Sequence, residues 1–306
     1  MALHRLASIT IGVPNVEETS RYYAEFGLTR DGACFSTSDG GEQLRIVKSP
    51  TRRLIELCIG ADDADDLDRV TDGLARLGVT SQRDPPGVSA VEIHSRARAT
   101  VRILPRISQE PAVIVPYNGP GRAERQNHRA PAILRQVPVR PRKLGHVVIG
   151  TPDAEASQRF FVDGVGFKVS DEVQGVAAFM RCSTDHHNLL IQPSPVPFLH
   201  HTSWQVDDVD EVGRGAMRML EGHPERHVWG LGRHFIGSNF FWYLRDPAGN
   251  FSEYYSDLDT ITDDQLWTPG TWEPSLRALY AWGPDVPPSM LAPDDLADLM
   301  AASHQS

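Results

Sequence analysis

The chain has 306 residues, of which 40% are hydrophobic and 23% charged, and its formal net charge is -10. This composition predicts globular domains with a full-sized core. It excludes a nucleic-acid partner, because no Lys/Arg cluster forms the basic face that such a partner needs. No apolar run approaches the roughly 20 residues that span a bilayer, so we expect no membrane partner. The first residues lack a signal-peptide pattern, which predicts a cytoplasmic protein.

An internal repeat begins with the first predicted strand. Residues 6–17, LASITIGVPNVE, match residues 144–155, LGHVVIGTPDAE, and each segment is an alternating apolar strand with a Gly-x-Pro-Asn/Asp turn before a helix. Residues 56–67 and 202–212 also match, as a strand, an acidic cap and an amphipathic helix. The repeat predicts an α+β fold of two modules, each made of paired β-α-β-β-β units that curl a mixed sheet around a cleft.

The composition between the repeats sets the predicted domain boundaries. Residues 1–107 form an N-terminal module without metal, and residues 108–142 form a connector rich in Pro, Gly and Arg. Residues 143–256 form a C-terminal metal-binding catalytic module. Residues 257–306 form a tail with several Trp and Pro residues, and two roles stay open for it: a lid over the second module, or an oligomer contact.

Three polar residues lie in three separate apolar strands of the second module. They are His146 in LGHVVIG, His201 in LHHTSWQV and Glu253 in NFSEYY. Two neutral imidazoles and one carboxylate make the facial triad that binds Fe(II) and leaves positions open for substrate and oxygen. Mn(II) suits the same ligands. The three cysteines have no zinc-binding spacing, so the predicted site contains no thiolate.

The repeat also predicts that only one module binds the metal. Aligning the two halves places Ser8 opposite His146 and Glu56 opposite His201, and the strand VRILPR suggests Arg102 opposite Glu253. A set of Ser, Glu and Arg does not bind a metal ion, because the arginine would repel it.

The two-module chain resembles the type I extradiol ring-cleavage dioxygenases of the vicinal oxygen chelate superfamily. The similarity runs from about Leu6 to about Tyr255. It is strongest in GLGRHFIGSNFFWYLRDPAGNFSEYY, which looks most like the homoprotocatechuate and dihydroxybiphenyl branches. In DPAGN, Gly249 supplies the backbone freedom for a tight turn before Glu253. The resemblance implies Fe(II)-dependent insertion of both atoms of O2 into a small catechol, in a homo-oligomeric oxidoreductase of aromatic degradation.

The resemblance also implies roles for residues around the metal. His187, in TDHHNLLIQ, looks like the acid/base histidine of the family, and strand alternation predicts that His186 points the other way. His234 and Tyr243 resemble the pair that contacts the catecholic oxygens. The same alternation predicts that His200 faces away from the metal.

The expected substrate depends on one departure from the family pattern. Branches that cleave acidic catechols carry an Arg near the position of Trp229, so Trp229 favours a neutral alkyl- or aryl-substituted catechol. Arg277 in the tail would restore carboxylate recognition if the tail folded over the mouth. Two alternatives to the dioxygenase remain open in the same superfamily: a metal-dependent, glyoxalase-like isomerase or transferase, and a protein that binds an aromatic ligand without chemistry.

Overall fold

Two mixed β-sheets form the frame of the protein, and the computed structural model describes residues 3–303. The first sheet contains β1 (Leu3–Val13), β2 (Thr29–Asp31), β3 (Cys34–Thr37), β4 (Gly41–Lys48), β5 (Arg53–Ala61), β6 (Gln82–Asp84), β7 (Gly87–Glu92) and β8 (Ala97–Ile103). The second contains β9 (Lys143–Thr151), β10 (Lys168–Val173), β11 (Ala177–Arg181), β12 (Leu189–Pro193), β13 (Phe198–Gln205), β14 (His227–Arg233), β15 (Phe240–Arg245), β16 (Phe251–Ser256) and β17 (Gly270–Trp272).

The helices lie between these strands and in the tail. They are α1 (Val16–Glu25), α2 (Ala64–Arg76), α3 (Pro131–Leu134), α4 (Ala154–Arg159), α5 (Val209–Leu220), α6 (Leu276–Leu279), α7 (Pro288–Leu291) and α8 (Leu296–Ser303). A π-helical segment, Phe160–Val165, continues α4, and a 3-10 turn, Pro224–Arg226, precedes β14. Within residues 3–303, no helix is both long and apolar enough to cross a membrane.

The strand order confirms the predicted α+β fold. It is β2-β3-β4-β1-β5-β8-β7-β6 in the first sheet and β14-β15-β16-β13-β9-β12-β11-β10-β17 in the second. Each sheet joins two β-α-β-β-β units through an antiparallel central pair, β1 with β5 and β9 with β13. Asp63 and Asp208 cap α2 and α5 by accepting bonds from the backbone N–H groups three residues ahead, as the acidic caps of the sequence predicted.

The strand register corrects one position of the aligned halves. Ser8 pairs with Cys58, which pairs with Thr100, and His146 pairs with Ser203, which pairs with Glu253. Thr100 is therefore the counterpart of Glu253, and the expectation of Arg102 was wrong by two residues. The Thr100 hydroxyl donates to the Glu56 carboxylate over 2.5 Å. A serine, a threonine and one glutamate offer a single strong metal donor, which leaves the first sheet without a metal site at this place.

The first helix packs across the junction between the sheets. The Tyr22 hydroxyl lies 2.5 Å from the Ser252 hydroxyl, and the Phe26 ring stacks on Tyr254 with centroids 3.8 Å apart. Buried aromatic contacts of this kind give a junction with the character of a core. The first sheet therefore supports the strands that carry the second sheet's polar residues.

The tail folds back over the second sheet. β17 pairs in parallel with β10, and Arg233 forms a β-bridge with Trp282. Farther along, Asp295 accepts two bonds from the buried guanidinium of Arg52, the residue before β5, at 2.7 and 2.8 Å. The tail is thereby attached to both sheets.

Candidate active site

Three adjacent strands of the second sheet bring His146, His201 and Glu253 together. The Nε2 atoms of the two histidines are 3.3 Å apart, and Glu253 Oε2 lies 3.1 Å from His146 Nε2 and 3.7 Å from His201 Nε2. All three side chains are buried. Among the described residues, this is the group of His, Cys, Asp or Glu side chains whose ligand atoms converge as a metal ion requires.

The donor atoms of this group fit a divalent cation. Glu253 Oε2 is buried and accepts no hydrogen bond, although a buried carboxylate oxygen normally has a partner. A carboxylate and two imidazole nitrogens with inward lone pairs repel one another unless a cation lies between them.

His200 determines which nitrogen of His201 carries the proton. His200 Nε2 donates to the Met290 carbonyl over 3.0 Å, and burial lowers the pKa of His200 to about 4, so its ring is neutral near pH 7. His200 Nδ1 therefore accepts from His201 Nδ1, which is 2.7 Å away. This leaves the His201 Nε2 lone pair for a metal, and burial likewise lowers the pKa of His201 well below its usual value. The expectation that His200 faces away from the site was wrong, because a bulge between Leu199 and His201 interrupts strand alternation.

His187 lies directly beside the ligands. Its ring centroid is 4.2 Å from that of His146, and it lines the same cavity, but it lies in a turn before β12 and not on the predicted strand. Its Nδ1 is 3.1 Å from His186 Nδ1, so Nε2 is the ring nitrogen left for the cavity. Burial lowers the pKa of His187 well below its ordinary value, which keeps the ring neutral and able to accept a proton.

His234 and Tyr243 form a hydrogen-bonded pair at the side of the site. His234 Nδ1 donates to the Leu279 carbonyl of the tail over 2.6 Å, and its Nε2 lies 2.9 Å from the Tyr243 hydroxyl. Because a carbonyl only accepts, the neutral His234 ring presents an acceptor to Tyr243. Burial, together with Glu253, raises the pKa of Tyr243 well above its usual value, so its hydroxyl keeps its proton.

A tight turn and one amide fix the orientation of Glu253. The turn before β16 has Gly249 at a φ of 93°, a backbone conformation that glycine adopts without strain. Asn239 then donates from Nδ2 to Glu253 Oε1 over 3.2 Å. No pattern in the sequence indicated Asn239, and the two His-His pairs were the only sequence signal for His186 and His200.

An apolar cavity of about 400 Å³ opens from the metal group. Trp229 lines it, with its indole N–H donating to the Pro284 carbonyl over 2.8 Å and its ring stacked near Tyr243. Tail residues close the opposite wall. Arg277 lies in that tail segment, but its side chain is exposed and it does not line the cavity. Among the described residues, no Lys, Arg, Asp or Glu lines the cavity. The apolar residues that line it include Val148, Val173, Phe179, Leu190, Ile236 and Leu276.

Comparison with known proteins places this site in a family. The model of the Glyoxalase/Bleomycin resistance protein/Dioxygenase superfamily matches residues 143–254, which hold the three convergent side chains. Metapyrocatechase 2 from Cupriavidus necator is 33% identical over 300 residues, an alignment that covers 94% of this chain and 91% of that protein.

Two further similarities are shorter or more distant. The iron-dependent extradiol dioxygenase of Rhodococcus jostii strain RHA1 is 30% identical over 157 residues, or 46% of this chain and 50% of that protein. A crystal structure of the Mn(II)-bound glyoxalase from Novosphingobium aromaticivorans has a TM-score of 0.74 at 24% identity and covers 94% of both chains. At that identity the likeness to the solved structure concerns the fold alone.

Proposed function

The chain belongs to the Glyoxalase/Bleomycin resistance protein/Dioxygenase superfamily, and on that premise we propose that it cleaves catechols whose ring substituent is neutral and apolar. The chain is an extradiol catechol dioxygenase, an oxidoreductase that inserts both atoms of O2 next to the vicinal diol. The observation that carries the substituent proposal is the cavity of about 400 Å³, which ionised side chains do not line within the described part of the chain.

The enzyme depends on iron or manganese, as its extradiol relatives do. We assign His146, His201 and Glu253 as the ligands and Fe(II) as the preferred ion, with Mn(II) as the alternative. A bound ion would supply open coordination positions for a catechol and O2, and would allow the catechol to reduce O2 without an external electron donor. The orphaned Oε2 of Glu253 and the free Nε2 of His201 support the assignment.

The remaining polar groups of the cavity handle the substrate's protons and oxygens. His187 Nε2 takes the proton of a catechol hydroxyl and later returns it to the reacting oxygen, a role that a neutral, buried imidazole fits. Tyr243 keeps its hydroxyl proton and donates it to His234 Nε2, so the Tyr243 oxygen presents a lone pair that accepts a hydrogen bond from a catechol hydroxyl. The apolar tail residues exclude water from this group.

The substituent of the catechol occupies the apolar part of the cavity. Trp229 forms a flat wall there, and Leu276 and Leu279 of the tail close the opposite side. Burying apolar area of an alkyl or aryl group gains about 25 cal/mol per Å². A carboxylate at the same place would lose its water without gaining a cation, because Arg277 is exposed outside the cavity.

The alternative functions have less support. A glyoxalase-like isomerase or transferase of this superfamily usually shares its metal ligands between units. Here the counterparts of the ligands in the first sheet, Ser8, Glu56 and Thr100, make no such site. A binding protein without chemistry has no need of three convergent metal donors.

We also propose that the enzyme is a cytoplasmic homo-oligomer. The three cysteines are free thiols, which suits a reducing compartment. The connector exposes five apolar side chains that a second copy would cover, namely Val113, Ile114, Ile133, Leu134 and Val137. Light scattering after gel filtration tests the assembly, and a monomeric mass would contradict it.

Oxygen uptake with a panel of catechols tests the proposed function. The protein is loaded with Fe(II) under argon and then mixed with air-saturated solutions of catechols bearing a 3-alkyl, a 3-aryl or a carboxylate side chain. We expect one O2 consumed per ring cleaved, product masses 32 Da above the substrate, as two oxygen atoms require, and the highest kcat/KM for the neutral substituents. Equal or better turnover of the acidic catechol would overturn the substituent proposal. Absence of uptake with every catechol would overturn the reaction.

A further inference from the structure

Two buried side chains, Asp171 and His186, lie behind His187, and the proposed reaction does not use them. We propose that Asp171 and His186 are positioning residues that hold His187 in the tautomer with its proton on Nδ1 and a free lone pair on Nε2. The inference rests on the proposed role of His187 as proton acceptor. The Asp171 carboxylate lies outside the cavity, contacts neither the metal ligands nor the substrate, and fixes the tautomer of His187 through His186.

The three side chains form a continuous hydrogen-bonded line. Asp171 Oδ2 lies 3.0 Å from His186 Nε2, and His186 Nδ1 lies 3.1 Å from His187 Nδ1. All three residues are buried, and the His186 side chain has no exposed surface. A bulge of β10 between Val169 and Asp171 interrupts the pairing with β11 beside Asp171. Bulges commonly redirect one side chain in this way.

The tail holds the carboxylate at the start of the line. The Gly270 N–H of β17 donates to Asp171 Oδ1 over 2.5 Å, which leaves Oδ2 for His186. Trp267 packs its ring on His186 with centroids 5.3 Å apart and donates its own N–H to the Ser170 carbonyl. Both oxygens of Asp171 therefore accept from fixed donors, and the carboxylate has little freedom to rotate.

The positions of the protons follow from the donors and acceptors. An ionised carboxylate only accepts, so His186 Nε2 carries a proton. In a neutral His186 ring, Nδ1 then has a lone pair and accepts from His187 Nδ1–H. Nε2 of His187 is left unprotonated toward the cavity. When a catechol hydroxyl is deprotonated there, its O–H bond breaks, the proton moves to Nε2, and the oxygen keeps the electron pair.

A single isosteric substitution should reverse the donor and acceptor roles in both hydrogen bonds of this line. In Asp171→Asn the amide oxygen still accepts from Gly270 N–H, and the amide NH₂ group faces His186. His186 Nε2 must then accept, and its proton moves to Nδ1. Two N–H groups cannot face each other, so His187 shifts its proton to Nε2 and loses the lone pair that receives the substrate proton.

Nuclear magnetic resonance observes these tautomers directly. The protein is labelled with 15N-histidine, loaded with diamagnetic Zn(II) in place of iron, and examined by long-range 1H–15N correlation, with His187→Gln and His186→Gln used for assignment. In the unsubstituted protein we expect the proton on Nδ1 of His187 and on Nε2 of His186. In Asp171→Asn we expect both to be exchanged. A His187 protonated at Nε2 in the unsubstituted protein, a doubly protonated His186, or tautomers unchanged by Asp171→Asn would each overturn the proposal.

Kinetics of the Fe(II)-loaded enzyme then show whether the tautomer matters for the reaction. Asp171→Asn should lower kcat by roughly 10²-fold, the usual contribution of a positioned base, and leave KM for the catechol nearly unchanged because the cavity wall is intact. Asp294→Asn is the matched control. It makes the same isosteric change at an exposed tail carboxylate that pairs with Arg245, and should change neither kcat nor the tautomers.

The two readouts separate this inference from the proposed function. If the unsubstituted enzyme cleaves no catechol, the proposed function fails, whatever the tautomers are. If it does cleave catechols and Asp171→Asn keeps the kcat of the parent, the positioning role fails and the dioxygenase stands.

Discussion

The two adjacent-histidine pairs of this chain are built alike. In each pair the second histidine belongs to the cavity, and its Nδ1 meets the Nδ1 of the first, at 2.7 Å in His200–His201 and 3.1 Å in His186–His187. The first histidine then reaches a fixed acceptor, the Met290 carbonyl or the Asp171 carboxylate. Both functional imidazoles thus carry their proton on the side away from the cavity. In the proposed function, the His201 lone pair binds a metal and the His187 lone pair accepts a proton.

Replacing His200 should weaken metal binding without touching a ligand. In His200→Phe a ring of similar size remains, but His201 Nδ1 loses its acceptor and the ligand can rotate or change tautomer. Loss of such an outer contact typically costs 10- to 100-fold in metal affinity. Competition with a chromophoric chelator measures the dissociation constant for Fe(II) or Mn(II). His223→Phe, at an exposed histidine whose side chain pairs with Glu225, is the control. Equal affinities in the two variants would contradict the role of His200.

A cation placed at the mouth of the cavity should change which catechols bind. Leu276 lines the cavity and is 55% exposed, so an arginine at this position keeps its head in water and still reaches a substrate carboxylate. Leu276→Arg should lower KM for a catechol with a carboxylate side chain by about threefold, the scale of a partly exposed ion pair. Initial-rate measurements of both substrate types detect the change.

The neighbouring arginine provides the matched control for that experiment. Arg277 is exposed and outside the cavity, so Arg277→Ala should leave KM for acidic and neutral catechols as it was. A rise in KM for the acidic catechol in Arg277→Ala would instead mean that the tail brings Arg277 to the substrate.

At the residue scale, the sequence predicted functional residues that their side-chain type and strand position identify. It did not predict residues whose role depends on contacts made in the folded chain. His146, His201 and Glu253 could be predicted because each is a ligand type in the middle of an apolar strand. Asn239 and His200 act through side-chain contacts that form only when separate strands and the tail meet. Alternation gave the wrong direction for His200 because a bulge adds a residue to its strand.

At the scale of elements, the central strand pairs decide which positions of the two halves correspond. Residues two apart in a strand share a face, so the apolar pattern alone cannot distinguish Thr100 from Arg102. The pairing of Cys58 with Thr100 makes that distinction. A one-residue error would have been visible in the sequence, because it moves every side chain to the other face. An alignment error of two residues keeps every side chain on the same face, so the apolar pattern of the sequence does not reveal it.

The tail is part of the second sheet's active site. The Leu279 carbonyl accepts from His234 and the Met290 carbonyl accepts from His200, so two short segments of the tail determine the tautomers of two histidines. The same segments line the cavity through Leu276, Leu279 and Met290. Pro-rich composition without a period predicted neither contact, since backbone carbonyls carry no sequence signal.

Breaking the attachment of the tail should cost stability. Asp295→Asn leaves the buried Arg52 guanidinium without its carboxylate, although the Leu199 carbonyl still accepts from it over 2.5 Å. Removing one partner of a buried pair costs about 3 kcal/mol or more, and we expect about 2 kcal/mol because Asp295 is 36% exposed. Thermal unfolding should shift down by about 3 °C.

Asp294→Asn is the matched control, because Asp294 is the preceding tail residue and also pairs with an arginine. Its carboxylate pairs with Arg245 at 2.6 Å, but Asp294 is 63% exposed and Arg245 is 31% exposed, so neither group is buried as Arg52 is. Asp294→Asn should therefore shift Tm by about 1 °C or less. If both variants behave like Asp294→Asn, Arg52 does not hold the tail.

At the scale of the whole molecule, four similar units form two sheets with unequal roles. The repeat at residues 6–17 and 144–155 predicted this arrangement, because each unit carries its own strand, turn and helix signals. The connector and the tail could not be predicted in the same way. Their positions depend on long-range contacts such as Arg142 with Asp207 and Arg52 with Asp295. The first sheet holds no convergent metal ligands among the described residues, but it supplies the arginine and the aromatic side chains that support the second.

The junction between the sheets contains one buried carboxyl that should make stability depend on pH. Asp246, in the turn before Glu253, accepts bonds from backbone N–H groups of Ala248 and Asn250 and lies 3.4 Å from the Tyr23 hydroxyl of α1. Burial raises the pKa of Asp246 to about 6 from 3.8, although the Asn250 contacts oppose the shift. The folded protein therefore holds a proton here that the unfolded chain releases at lower pH.

The sign of the effect follows from that difference. Stability from this group is fully present below pH 3.8 and is lost as pH rises through about 6, a change on the order of 3 kcal/mol. Asp246→Asn is neutral at every pH and should lose this slope. Measured by Tm between pH 4 and pH 7.5, the variant should match the parent at the acid end and exceed it at the neutral end, while Asp294→Asn tracks the parent throughout. A Tm difference that does not change with pH would mean that Asp246 is ionised in the folded protein over the whole range, with its carboxylate stabilised by the N–H donors of the turn and by Arg52 nearby.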